Sequence, residues 1–219
     1  MELIIGNKNY SSWSLRAWLM LKACGVEFEE RRLALFTPEF AEQIKDLSPT
    51  GKVPVLIDGE VKVWDSLAIC EYINDTRLSG QAWPQEAAKR AKARAISCEM
   101  HSGFMALREE LPMNCRARRQ VDLSTQVLRD VWRIDLMWQE LLYEHQDTGP
   151  WLFGELSIAD IMFAPVALRF HTYGCAISPL SRAYVDRVLE HPAVAEWIAA
   201  SMEETEVIAE EEVGLEFDD

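Results

Sequence analysis

Within the first 80 residues, four short β-like runs alternate with three amphipathic stretches, and that order admits few folds. Residues 3–5 (Leu-Ile-Ile) form an apolar strand, and residues 13–24 repeat apolar side chains at helical spacing until Gly25 supplies a stop. Residues 27–35 read as a second strand and 38–45 as a short helix. Residues 53–57 and 60–63 read as a hairpin, because Asp58-Gly59 between them suits a two-residue type I′ turn. Asp65 then caps a helix running to about Arg77. A βαβ unit followed by a ββα unit makes one four-stranded sheet covered by three helices.

That arrangement is the thioredoxin-like plan. It breaks over residues 78–85, where Ser79-Gly80 and Trp83-Pro84 read as a linker. Beyond it, residues 86–111 and 121–146 are long helical patterns separated by a turn containing Pro112. Further helices are expected over 157–172, 181–189 and 192–202, the last opened by Pro192 in its first turn. The fold class expected is an α/β thioredoxin-like N-terminal domain plus an all-α helical bundle. Its boundaries fall at residues 1–79 for the first domain, 80–85 for the linker, 86–202 for the bundle and 203–219 for an acidic tail.

Charge narrows the range of partners. The chain has 36 acidic and 22 basic residues and a net charge of -14. Residues 203–219 hold nine acids and no base, so the remaining body is only mildly negative. Nucleic acid and anionic membrane both need net cationic surface, and neither is expected as a partner. No apolar run reaches the roughly 18 residues of a bilayer span, and residues 1–6 do not read as a secretory leader. A soluble, cytoplasmic protein is expected, with the tail as a solvated, mobile end or, alternatively, a docking peptide.

The five cysteines are odd in number, with no C-x-x-C and no Cys/His cluster at metal-ligand spacing. This fits a reducing compartment and no metal, with most of the cysteines as small core residues. Trp132, Trp138 and Trp197 also read as core.

Three places in the first half put donors at a turn or helix start. Ser11 and Ser12 follow the first strand and precede a helix; a serine there caps, and hydroxyls at a positive helix end also stabilise an anion such as a thiolate. Lys52-Val53-Pro54 comes next: Pro54 has no N–H and forces Val53 to be extended, so Val53 presents its backbone like a strand edge to which a peptide could pair. In Asp65-Ser66, Asp65 is the cap, and Ser66 at the first helical position offers a hydroxyl and an N–H to a carboxylate.

Together these segments resemble the N-terminal domain of the cytosolic glutathione transferases. Residues 47–54 (Leu-Ser-Pro-Thr-Gly-Lys-Val-Pro) resemble that family's N-P-x-G-x-V-P segment, with Ser48 where Asn is usual, and residues 65–69 (Asp-Ser-Leu-Ala-Ile) resemble its [EQD]-S-x-A-I. In the bundle, Ser157-Ile158-Ala159-Asp160 resembles the family's S/T-x-x-D helix start, a capping box with a structural role. Ser11-Ser12-x-Ser14-x-Arg16 looks most like the zeta class motif S-S-C-x-x-R, with Trp13 in place of its Cys.

The resemblance implies glutathione as cosubstrate and a homodimer. It makes Ser11 the hydroxyl facing the sulfur and Ser12 the adjacent contact. It also gives Lys52, Val53, Asp65 and Ser66 to glutathione binding. Trp13, His101, Phe104 and Arg108 are the candidate electrophile contacts, since positions 101, 104 and 108 share one face of a helix. Arg169 lies one turn before Thr172, near which zeta enzymes carry a substrate-binding Arg. The expected activity is glutathione transfer to a small electrophile. A zeta-type isomerase or dehalogenase, or a non-catalytic interaction module, remains the alternative.

Overall fold

The computed structural model describes residues 1–216, so the last three residues of the acidic tail lie outside the described residues. Strands β1 (Glu2–Ile5), β2 (Glu29–Arg32), β3 (Val55–Asp58) and β4 (Val61–Trp64) form one sheet in the order β2-β1-β3-β4. β1 runs parallel to β2 and antiparallel to β3, and β3 is antiparallel to β4. The parallel pair needs a crossover, which α1 (Ser12–Ala23) provides.

β1 is central, and its alternation divides the core. Leu3 and Ile5 face the large core beneath α1 and α3 (Ser66–Arg77), whereas Ile4 packs with Leu33, Ile44 and Val55 under α2 (Pro38–Leu47). The hairpin turn sits one residue later than its Asp-Gly dipeptide suggests. Asp58 pairs with Val61, the turn residues are Gly59 and Glu60, and of these only Gly59 has positive φ (61°). A lone glycine at the first turn position is the type II′ pattern rather than I′.

The second half contains α4 (Ala87–Ser102), α5 (Met105–Glu110), α6 (Thr125–His145), α7 (Ile158–Thr172), α8 (Pro179–Glu190) and α9 (Pro192–Met202). α7 is apolar around nearly its whole circumference and every residue in it except His171 is buried, as a central helix requires. It packs against α1, α4 and α8, so one helix joins the bundle to the sheet domain. Its start is fixed by Asp160, which accepts from the Leu152 and Ser157 N–H groups (3.0 and 2.9 Å) and from the Ser157 and Tyr184 hydroxyls (both 3.0 Å).

Three expectations are corrected. The pattern over 86–111 is two helices, not one: Gly103 ends α4, where a Cβ would stand 2.7 Å from the Glu99 carbonyl oxygen, and Phe104 takes a left-handed φ of 58°. Trp138 and Trp197 are fully buried, but Trp132 is 65% exposed on the outer face of α6.

The described part of the tail is docked, not free. Glu204 accepts from the Lys8 and Asn9 N–H groups (2.7 and 3.0 Å), and Glu206 accepts from Arg32 (2.8 Å). Arg116 donates to the carbonyls of Glu204 and Glu206. Glu212 accepts from Arg119 (2.7 Å), and β6 (Leu215–Glu216) pairs with β5 (Arg119–Gln120). The body carries a net negative charge, yet Arg32, Arg116 and Arg119 converge on this strip of it, and local charge decides docking.

Candidate active site

The start of α1 divides labour between its two serines. Ser11 is the N-cap: its Oγ accepts from the Ser14 N–H (3.4 Å) and its hydroxyl donates to Ser14 Oγ (2.7 Å), which in turn accepts from the Gly6 N–H (3.0 Å). Ser12 Oγ accepts from Arg169 Nη2 (3.3 Å), and among the described residues its own proton is uncommitted. Both serines line a cavity of about 510 Å³ whose walls include Trp13, Val53, Arg108 and Arg169. Tyr10 borders the same space, but its hydroxyl is engaged: it donates to Glu212 (2.6 Å) and accepts from Arg116 (2.9 Å). Burial and the Glu212 carboxylate push the Tyr10 phenol upward, which keeps it a donor.

A second cavity of about 280 Å³ runs past Trp13, Lys52 and Val53 to Asp65 and Ser66. Trp13, Lys52 and Val53 line both spaces, which therefore make one groove from the helix start of α3 to that of α1. The Val53-Pro54 bond is cis. Among the described residues no hydrogen bond engages the Val53 N–H or C=O, as a strand-like partner would require.

At the far end Asp65 holds a positive φ of 80°, a conformation rare for a side-chain-bearing residue. Its Oδ1 caps α3 through the Leu67 and Ala68 N–H groups (2.9 and 3.2 Å). This geometry seats Ser66 at the groove, 1% exposed and with no hydrogen-bond partner for its Oγ among the described residues. A buried hydroxyl left without a partner is costly unless something else fills the place.

The opposite end is cationic. Arg169 is 4% exposed and donates to the Leu111 and Pro165 carbonyls (2.8 and 3.3 Å) besides Ser12. Burial, with Arg108 nearby, lowers its pKa to about 10, so it stays charged at neutral pH. The Arg108 guanidinium donates to the Met100 and Gly103 carbonyls. Arg16 and Arg108 cover the Trp13 ring at 4.5 and 4.7 Å from its centroid. Arg16 is fully buried with both Nη groups unpartnered among the described residues, and burial drives its pKa well below the ordinary guanidinium value.

Of the candidate electrophile contacts, Trp13 and Arg108 line the cavity and the other two do not. His101 stands edge-on behind Trp13 (5.3 Å, 78°), with its Nε2 2.9 Å from Asp65 Oδ2. Phe104 belongs to the hydrophobic core. The expected common face required an unbroken helix; the chain breaks at Gly103-Phe104, and while His101 and Arg108 both still touch the Trp13 ring, Phe104 is turned into the core. Two charged residues of the cavity carried no assigned role in the sequence: Arg169, noted only for its place one turn before Thr172, and Glu211. Arg169 had a signal: a lone arginine inside an otherwise apolar helical run must find buried partners. Glu211 had none, because only tertiary docking brings it to the cavity.

Comparison with known proteins agrees with this geometry. Residues 10–76 match the glutathione S-transferase N-terminal domain and residues 99–200 its C-terminal domain. The chain is 32% identical to the maleylacetoacetate isomerase of Rattus norvegicus over 174 residues, 77% of each chain. It is 29% identical to a probable maleylacetoacetate isomerase of Caenorhabditis elegans over 77% of this chain and 78% of that one. Among solved structures, a Burkholderia glutathione transferase homolog with bound glutathione superposes with a TM-score of 0.71 at 24% identity, covering 93% of this chain and 98% of that one. A bacterial zeta-class maleyl pyruvate isomerase gives the same TM-score at 21% identity, covering 91% and 98%. With both halves matched and a relative of this identity along most of its length, the chain belongs to the glutathione S-transferase family, as a zeta-like member.

Proposed function

We propose that the chain is a glutathione-dependent enzyme in which the cosubstrate lies extended along the groove and its thiolate attacks a small electrophile carrying an anionic group. The γ-glutamyl carboxylate takes the unpartnered Ser66 hydroxyl and the start of α3. The cysteinyl backbone pairs with Val53 as an added strand, and Lys52 attracts the glycyl carboxylate. The sulfur then reaches Ser12, whose hydroxyl donates to it while Arg169 polarises the oxygen and Ser11 holds the helix end in place. A hydrogen bond and a positive helix end both favour the thiolate over the thiol.

The observation that carries this reading is the Ser12–Arg169 contact opening on a groove that ends at a buried hydroxyl without a partner. In conjugation, the sulfur lone pair forms the carbon–sulfur bond and the leaving group departs with its electrons. In isomerisation, the thiolate adds to an activated cis double bond, the resulting single bond rotates, and thiolate is expelled unchanged. Two arginines in the cavity favour a carboxylate-bearing substrate, as does the similarity to maleylacetoacetate isomerases.

Glutathione consumption measured against an aryl halide and against an anionic cis-enone separates the two outcomes. Turnover of neither, with no heat of glutathione binding, refutes the proposal. We further infer a homodimer, supported by Leu128 and Trp132 exposed one turn apart on α6, to be checked by light scattering. A reducing, cytoplasmic setting accords with five free cysteines.

A further inference from the structure

The chemistry above leaves the acidic C-terminal segment without a task, yet its placement is specific. Glu204 is bonded to the backbone of Lys8 and Asn9, just before the serine pair, and Arg116 holds the carbonyls of Glu204 and Glu206. Glu212 receives the Tyr10 hydroxyl and Arg119. Between these anchors the 3₁₀ turn Ala209–Glu211 is brought to the groove, and Glu211 becomes a wall of the cavity that also holds Arg108 and Arg169. The neighbouring Glu210 is exposed to solvent and lines no part of it. Glu211 makes no ion pair within 4.0 Å among the described residues, and Nη2 of Arg169 is spent on Ser12. The carboxylate thus lines the same space as the two arginines without being paired to either.

We propose that Glu211 is a specificity-determining residue that sets the charge of electrophile the cavity accepts. With Lys52 taken by the glycyl carboxylate of glutathione, two guanidiniums against one carboxylate leave a single net positive charge for the electrophile, which matches a monoanion and disfavours a dianion. The inference rests on the thiolate reading for the location of the electrophile. Coulomb energy is linear in ligand charge, so removing the Glu211 charge multiplies affinity for a monoanion by some factor and for a dianion by its square. The carboxylate also repels the second anionic group directly, a device that discriminates by penalising the wrong ligand.

The test uses the full chain with Glu211→Gln, and Glu210→Gln as a control of equal charge change. One α,β-unsaturated ketone is supplied as its diester, its monoester and its free dicarboxylate. For Glu211→Gln, kcat/KM is expected to rise roughly threefold for the monoanion and about tenfold for the dianion, with the neutral diester unchanged. Glu210→Gln should change none of them. Equal changes across the three compounds, or the same pattern in both variants, overturns the proposal. Binding of each compound by calorimetry reads the filter without turnover. A charge-graded binding change in a protein that turns over nothing therefore supports the filter while refuting the thiolate reading, and ungraded binding refutes the filter alone.

Discussion

Replacing Ser12 with alanine isolates the hydroxyl on which the proposed chemistry turns. Among the described residues the Ser12 hydroxyl donates to nothing and accepts one long bond, from Arg169 at 3.3 Å, so its loss should cost the fold little, roughly 0.5–1.5 kcal/mol. A hydrogen bond to a charged group contributes about 1.5–3 kcal/mol, and each pKa unit corresponds to about 1.4 kcal/mol. The pKa of bound glutathione should therefore rise by roughly 1–2 units in Ser12→Ala. Ser11→Ala makes the opposite split: it removes an N-cap and a 2.7 Å bond to Ser14, costing about 1–2 kcal/mol of stability. Its thiolate pKa should move much less. The assay is titration of thiolate absorbance in the glutathione complex of each variant, with thermal melts of the same samples. A thiol pKa that rises in Ser11→Ala and stays at the wild-type value in Ser12→Ala would overturn this division of roles.

Three further outcomes are expected. Ser66→Ala should weaken glutathione binding about tenfold by calorimetry while leaving kcat at saturation nearly unchanged, because the contact is equal in ground and transition states. Asp160→Ala strands the Leu152 and Ser157 N–H groups and the Tyr184 hydroxyl. It should cost about 3 kcal/mol or more, lowering Tm by roughly 6–12 °C; a shift under a few degrees would deny Asp160 its anchoring role. The third concerns acid. Arg32 holds the Glu206 carboxyl below its ordinary value. Burial raises that of Glu212, but bonds from Tyr10 and Arg119 outweigh it, and the net direction is down. A folded-state value below the unfolded one stabilises docking above the ordinary carboxylate pKa of about 4.3, and that stabilisation is lost as pH falls through the depressed values. Anisotropy of a dye at the C-terminus should thus be constant near neutrality and drop in acid, and a drop already between pH 8 and 6 would contradict the assignment.

Much of the fold was legible because its signals are local. A helix start announces itself through a side chain and an N–H two or three residues away, so Ser11, Asp65 and the Ser157–Asp160 box were found at their positions. β1 betrayed its burial by three consecutive apolar residues, and the family segments at 47–54 and 65–69 contain residues that line the groove. Reading failed where a local pattern had two outcomes. Helical spacing runs through residues 86–111 without a gap, and only the close contact at Gly103 and the left-handed Phe104 show that the chain turns there. Trp132 has the composition of a core residue and the position of a surface one.

The sequence by itself determined the strands of the first sheet, most of the helices, and where donors gather at helix starts, because those depend on neighbours within about four residues. Tertiary structure alone decided which serine keeps a free proton, which arginine stands over it, and that an acidic tail is a wall of the cavity. Those outcomes join Ser12 to Arg169 across 157 positions and Tyr10 to Glu212 across 202. Pairings of that span are chosen by packing and local charge among many possible partners, and no repeat or spacing in the chain records them.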